Sequence, residues 1–147
     1  MKKLFVLFWS LLISGLSFAG SPINVNEQVI RLFKENFPDA VQVLWVEFPN
    51  TYVVSFVEDG IRSRITYGKD GSFIGSYRYY NERTLPYYLL SNLKKKYPHK
   101  TIFGITEIAS DSDIAYFVKM EDSKVWITLR MDTDGNLNVV EKYEKAK

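Results

Sequence analysis

The chain matches itself internally, and that match restricts its fold more than any single motif does. At a displacement of 60 residues, Val29 falls on Leu89, Ile30 on Leu90, Phe33 on Leu93 and Phe37 on Tyr97. Their spacing of i, i+1, i+4 and i+8 is one stripe of an amphipathic helix. Pro38 falls on Pro98, and each proline stops its helix just past the last apolar position. The first helix is expected to begin after Asn24 or Asn26. The second is expected after Thr84, with Pro86 in the first turn, where a missing N–H costs nothing. Val43 then aligns with Phe103, Trp45 with Ile105 and Glu47 with Glu107.

Beyond residue 108 the displacement becomes 64, which one four-residue insertion near 109–113 explains. Tyr52, Val54 and Phe56 now match Tyr116, Val118 and Met120, and Ile61, Ser63, Ile65 and Tyr67 match Val125, Ile127, Leu129 and Met131. Matches at every second residue are strand periodicity. Asp70-Gly71 falls on Asp134-Gly135, and hairpin turns fit there and at Glu58-Asp59-Gly60 and Asp122-Ser123. The expected fold is therefore α+β: a tandem repeat of two helix-plus-four-stranded antiparallel sheet units, with the helices on one sheet face. The first unit is placed at 20–83 and the second at 84–147.

Residues 1–19 read as a targeting segment. Met1-Lys2-Lys3 is basic, Leu4 to Phe18 is largely apolar, and Ser17 and Ala19 supply small residues for cleavage before Gly20. The apolar run is shorter than the about 20 residues a membrane span needs. The expectation is a periplasmic or secreted protein of 147 − 19 = 128 residues, with no membrane span after cleavage.

Composition then removes whole classes of function. Lys and Arg total 19 against 17 Asp and Glu, and Lys2 and Lys3 account for the excess, so the processed chain carries 17 of each. A neutral chain has no overall field to draw it to nucleic acid or an anionic membrane. With no cysteine and one histidine, His99, there are no disulfides, thiolate sites or multi-histidine metal sites. No nucleophile elbow or phosphate-binding glycine loop occurs, and Gly68-Lys69-Asp70-Gly71 is turn chemistry. Asp132 to Asn136 has the look of half a calcium loop. Arg130, however, would occupy the first ligand position, where a carboxylate is required, so a hairpin turn is the better reading. No enzyme, catalytic residue, metal or cofactor is expected.

Strand alternation sorts the remaining side chains onto two faces. Val43, Trp45, Val54, Phe56, Ile61, Ile65, Phe73 and their partners in the second copy are expected beneath the helices. The opposite face interleaves cations with aromatics: Arg62, Arg64 and Arg78 from one copy, and Phe117, Lys119, Trp126 and Arg130 from the other. Tyr80 also falls on that face, and Tyr77, Tyr79, Tyr87 and Tyr88 are read mostly as packing between the units. The seven form the candidate binding surface, because guanidinium groups bind carboxylates bidentately and Trp supplies desolvated area.

The arrangement resembles the exported PepSY-like, or beta-lactamase-inhibitor-protein-like, family of periplasmic proteins. Phe37-Pro38, Trp45, Tyr52 to Phe56, Asp70-Gly71 with Phe73, Leu85-Pro86, Tyr97-Pro98 and Asp134-Gly135 carry the resemblance over residues 26–143. It implies tandem helix-plus-four-strand domains in an exported, non-enzymatic protein, with peptidase inhibition as an association of PepSY domains in general. The inhibitor itself depends on disulfides, and this chain departs from it there. The functional expectation is a binding module that recognises a polypeptide or a small acidic ligand on the outer sheet face, inhibitor-like in character. The alternative is a structural or assembly component of an envelope complex.

Overall fold

The computed structural model describes residues 24–146. The targeting segment and its cleavage point lie outside the described residues. The described chain is α+β and runs in the order α1 (Glu27–Asn36), β1 (Val41–Glu47), β2 (Thr51–Glu58), β3 (Ile61–Gly68), β4 (Phe73–Tyr80), a 3-10 turn (Glu82–Thr84), α2 (Tyr87–Lys96), β5 (Thr101–Ser110), β6 (Ile114–Glu121), β7 (Val125–Asp132) and β8 (Leu137–Glu144). All eight strands join one antiparallel sheet in the order β1 to β8.

Local chemistry sets the element boundaries. The Asn26 side chain accepts from the Gln28 N–H at 2.8 Å and caps α1, and Pro38 follows the helix end at Phe37. In α2, Pro86 stands at the N-cap with no side-chain cap, while Lys94, Lys95 and Lys96 face the negative end of the helix dipole. Gly71 and Gly135 take φ of 89° and 85° in their turns, which side-chain-bearing residues resist. The insertion forms a turn after β5, closed by Ser110 N–H donating to the Asp113 carbonyl at 2.9 Å.

Two buried clusters lie on one face of the sheet. Val29 and Phe33 of α1 are packed with Tyr52, Val54, Phe56, Ile65 and Tyr67, and the Trp45 ring meets Phe33 edge-on at 5.4 Å. Leu89 and Leu93 of α2 are packed with Ile105, Tyr116, Val118, Met120, Ile127, Leu129 and Met131. Each fully buried Leu, Ile or Met contributes about 1.5–3 kcal/mol, so these clusters hold the fold without covalent staples.

The register breaks in β1 between Val41 and Leu44, in β5 between Ile102 and Gly104, in β4, where Phe73 pairs with Tyr67 but Gly75 with Thr66, and in β8, where Val139 pairs with Leu129 but Glu141 with Thr128. Each irregularity carries extra residues and reverses the facing of the strand residues beyond it. Several expected facings change accordingly. Val43 and Phe103 are 41% and 58% exposed instead of lying under the helices. Ile61, which packs against the α2 cluster, and Phe73, paired with Tyr67 and 36% exposed, keep the expected face. Arg78, opposite Ser63, and Tyr80, opposite Ile105, belong to the cluster face. Tyr77 and Tyr79 take the open face instead.

Candidate functional site

The open face is organised in cross-strand rows. One row crosses the whole sheet by successive pairing: Val41, Val57, Arg62, Tyr79, Thr106, Phe117, Arg130 and Asn138. The next contains Leu44, Ser55, Arg64, Tyr77, Ile108 and Ala115. Of the seven expected site residues, Arg62, Phe117 and Arg130 therefore share a row and Arg64 stands in the adjoining one. Lys119, paired with Thr128, and Trp126, paired with Tyr143, lie further along the same face. Arg78 is excluded from this surface. It reaches Glu107 Oε1 at 3.3 Å, and Tyr80 donates its hydroxyl to Glu107 Oε2 at 2.7 Å. Burial, reinforced by that bond to a carboxylate, pushes the Tyr80 phenol above its usual pKa.

The row divides into two environments. Around Arg62 and Arg64 runs an open groove of about 570 Å³, lined on this face by Leu44, Ser55, Val57, Tyr77, Tyr79 and Thr106. The Arg62 guanidinium lies 5.4 Å from the Tyr79 ring centroid, and Arg64 Nε donates to Ser55 Oγ at 3.4 Å. Among the described residues neither arginine has a carboxylate within 4.0 Å, and no acidic side chain lines the groove. Gly104 keeps space for Tyr79, since a Cβ there would stand 2.6 Å from the tyrosine hydroxyl.

At the β6–β8 end the aromatic and cationic side chains contact one another. Trp126 meets Phe103 edge-on at 5.3 Å, and the Lys119 and Lys145 ammonium groups stand 5.2 and 4.6 Å from its ring centroid. Lys145 is paired with Glu121, and Arg130 with Asp113 at 3.5 Å. Four strand spacings separate β3 from β7, about 19 Å, so Trp126 and the arginine groove are separate patches of one face. Tyr77, Tyr79 and Leu44 complete the groove and were not among the expected site residues. Their signal in the sequence was aromatic and apolar character on strands, without the facing that the β1 and β4 irregularities impose. Among the described residues, no group of three His, Asp or Glu side chains could hold a metal ion.

No family model and no curated protein matches the chain. Solved structures do share its fold. A BLIP-like protein from Bacteroides fragilis superposes with a TM-score of 0.61 at 16% identity, covering 85% of this chain and 88% of that one. A protein from Bacteroides eggerthii, described as periplasmic, gives 0.57 at 13% identity over 82% and 89%. A DUF2874 family protein from Bacteroides ovatus gives 0.57 at 13% over 84% and 89%.

Proposed function

We propose that this is an exported, non-enzymatic binding module whose open sheet face recognises an acidic stretch of a polypeptide. The carrying observation is the pair of arginines, Arg62 and Arg64, that no carboxylate of the described residues neutralises in a groove walled by Tyr77, Tyr79 and Leu44. Guanidinium groups bind carboxylates in a planar, two-point fashion, and tyrosines give contact area at low entropic cost. The fold shared with a protein named BLIP-like supports a protein partner, and the neighbour described as periplasmic supports export. On this reading residues 20–83 and 84–147 are two copies of one α–β4 unit, whose helices cover one sheet face and leave the other to the partner. Residues 1–19 direct export and are removed before Gly20.

The test is capture of exported proteins from the producing cell on the immobilised protein, beside the Arg62→Glu/Arg64→Glu double variant. A partner held by the parent, released by salt and lost with the double variant is expected. A partner held equally by both places the recognition site elsewhere. The assembly reading draws on β1, where Val41, Leu44 and Val46 are 56%, 62% and 40% exposed on the outermost strand. It predicts a stoichiometric complex insensitive to the arginine reversals and broken by Leu44→Lys.

A further inference from the structure

On the cluster face, Ser63 and Ser76 occupy central positions of β3 and β4, opposite Arg78 and Ile65 respectively. Two small side chains there, beside the end of α1, leave a half-enclosed cavity of about 270 Å³. Phe37, Phe56, Ile65, Tyr67 and Phe73 form its apolar walls, and Asn36, Ser63, Ser76 and Arg78 its polar part. In the β5–β8 half, the residue displaced by 64 from Ser63 is Ile127, 5% exposed and packed into the α2 cluster. The cavity is thus a feature of the first half, created by serine where the other half has a branched aliphatic.

We propose that this cavity binds a small uncharged molecule, a single aromatic ring bearing a hydroxyl or carbonyl group, independently of the open face. Size supports one ring, because an apolar cavity of about 150 Å³ suffices for benzene and the present one leaves space for a short polar substituent. Aromatic walls favour a ring over an alkyl chain, through edge-to-face and offset contacts. The head group follows from electrostatics. Arg78 directs Nη1 to Glu107 at 3.3 Å, so the guanidinium charge is already offset by a neighbouring carboxylate. Its other N–H groups and the two serine hydroxyls match a neutral acceptor or hydroxyl, whereas a carboxylate ligand would meet the field of Glu107.

Titration of the protein with benzyl alcohol and, separately, benzoate, followed by amide chemical shifts, tests this. Benzyl alcohol is expected to give saturable millimolar shifts centred on Ser63, Phe73 and Ser76. Ser76→Leu fills the cavity and should abolish them while keeping a dispersed spectrum. Should that variant fail to fold, Ser63→Val serves the same purpose. The proposal is overturned if the shifts are absent, centre on the open face or survive in the folded filling variant. Benzoate binding tenfold or more tighter than benzyl alcohol overturns the neutral-ligand assignment.

Discussion

The β1–β4 half and the β5–β8 half are built from the same sequence of elements, yet they distribute polarity in opposite ways. Around α2, Leu89, Leu93, Ile105, Val118, Met120, Leu129 and Met131 are all completely buried, and three cations near β6–β8 are paired: Arg130 with Asp113, Lys145 with Glu121, Lys100 with Asp122. Around α1 the core is aromatic, with the Phe33 ring against Phe37, Phe56 and Trp45. Serines there leave a cavity, two arginines stand without a carboxylate among the described residues, and β1 exposes aliphatic side chains. The second half closes its core completely, and the first keeps a cavity and a pair of arginines open. The same order of elements does not oblige both halves to share a task.

The contrast is most exposed to disproof in the cores. Phe33→Ala should cost about 3–5 kcal/mol and Leu93→Ala about 2–5 kcal/mol in denaturant unfolding, because each removes a buried helix anchor. A Phe33→Ala loss within the about 0.5 kcal/mol of a surface change would mean that the aromatic half is not a real core. Next comes the open face. Arg62→Glu/Arg64→Glu should weaken partner binding by about 2 kcal/mol or more while shifting stability by less than about 0.5 kcal/mol. Trp126→Ala, about 19 Å away, should leave that binding unchanged. Should Trp126→Ala abolish binding and the arginine reversals not, the roles of the two ends are exchanged.

Much of the secondary structure was legible from residue spacing. The helix stripe of Val29 and Phe33, the stops at Pro38 and Pro98, and the turns at Gly71 and Gly135 all follow from residue type and spacing. What alternation cannot reveal is an extra residue inside a strand, because a period of two has no marker for its own interruption. One such interruption before Gly75 carried Arg78 away from Arg62 and brought Tyr77 and Tyr79 in. Another exposed Phe103, which now flanks Trp126. Gly75 and Gly104 are the residues that hint at these places: a Cβ on Gly75 would meet the Ala109 carbonyl at 2.9 Å.

Smaller effects refine the contrast at equivalent turns. Gly71→Ala and Gly135→Ala should each cost about 1–2 kcal/mol in denaturant unfolding, since both require positive φ. Similar losses at both would argue for equal turn strain in the two halves. The least effect concerns acid. Ser72 holds Asp70 below the ordinary carboxylate pKa, and Asn136 does the same for Asp132. A carboxylate depressed in the folded state stabilises the fold at pH above its unfolded value of about 3.9, and that stability is lost as pH falls through the lower folded value. Asp70→Asn and Asp132→Asn should therefore flatten the decline of Tm on acidification below about pH 4. An unchanged slope in either variant would show that its turn contributes nothing to acid sensitivity.

The strictly consecutive strand order also bears on folding kinetics. Six of the seven strand pairs are hairpins between neighbours in sequence, and only β4 with β5 must bridge residues 81–100, through the 3-10 turn and α2. Closing short loops involves little entropy, and each doubling of loop length adds about 0.6 kcal/mol. The sheet can thus grow by local zipping within each meander, with a single non-hairpin closure where the two meanders meet. Low contact order of this kind favours fast folding for an all-antiparallel sheet, and it confines the slow search to one seam, the one where Arg78, Glu107 and Tyr80 interlock.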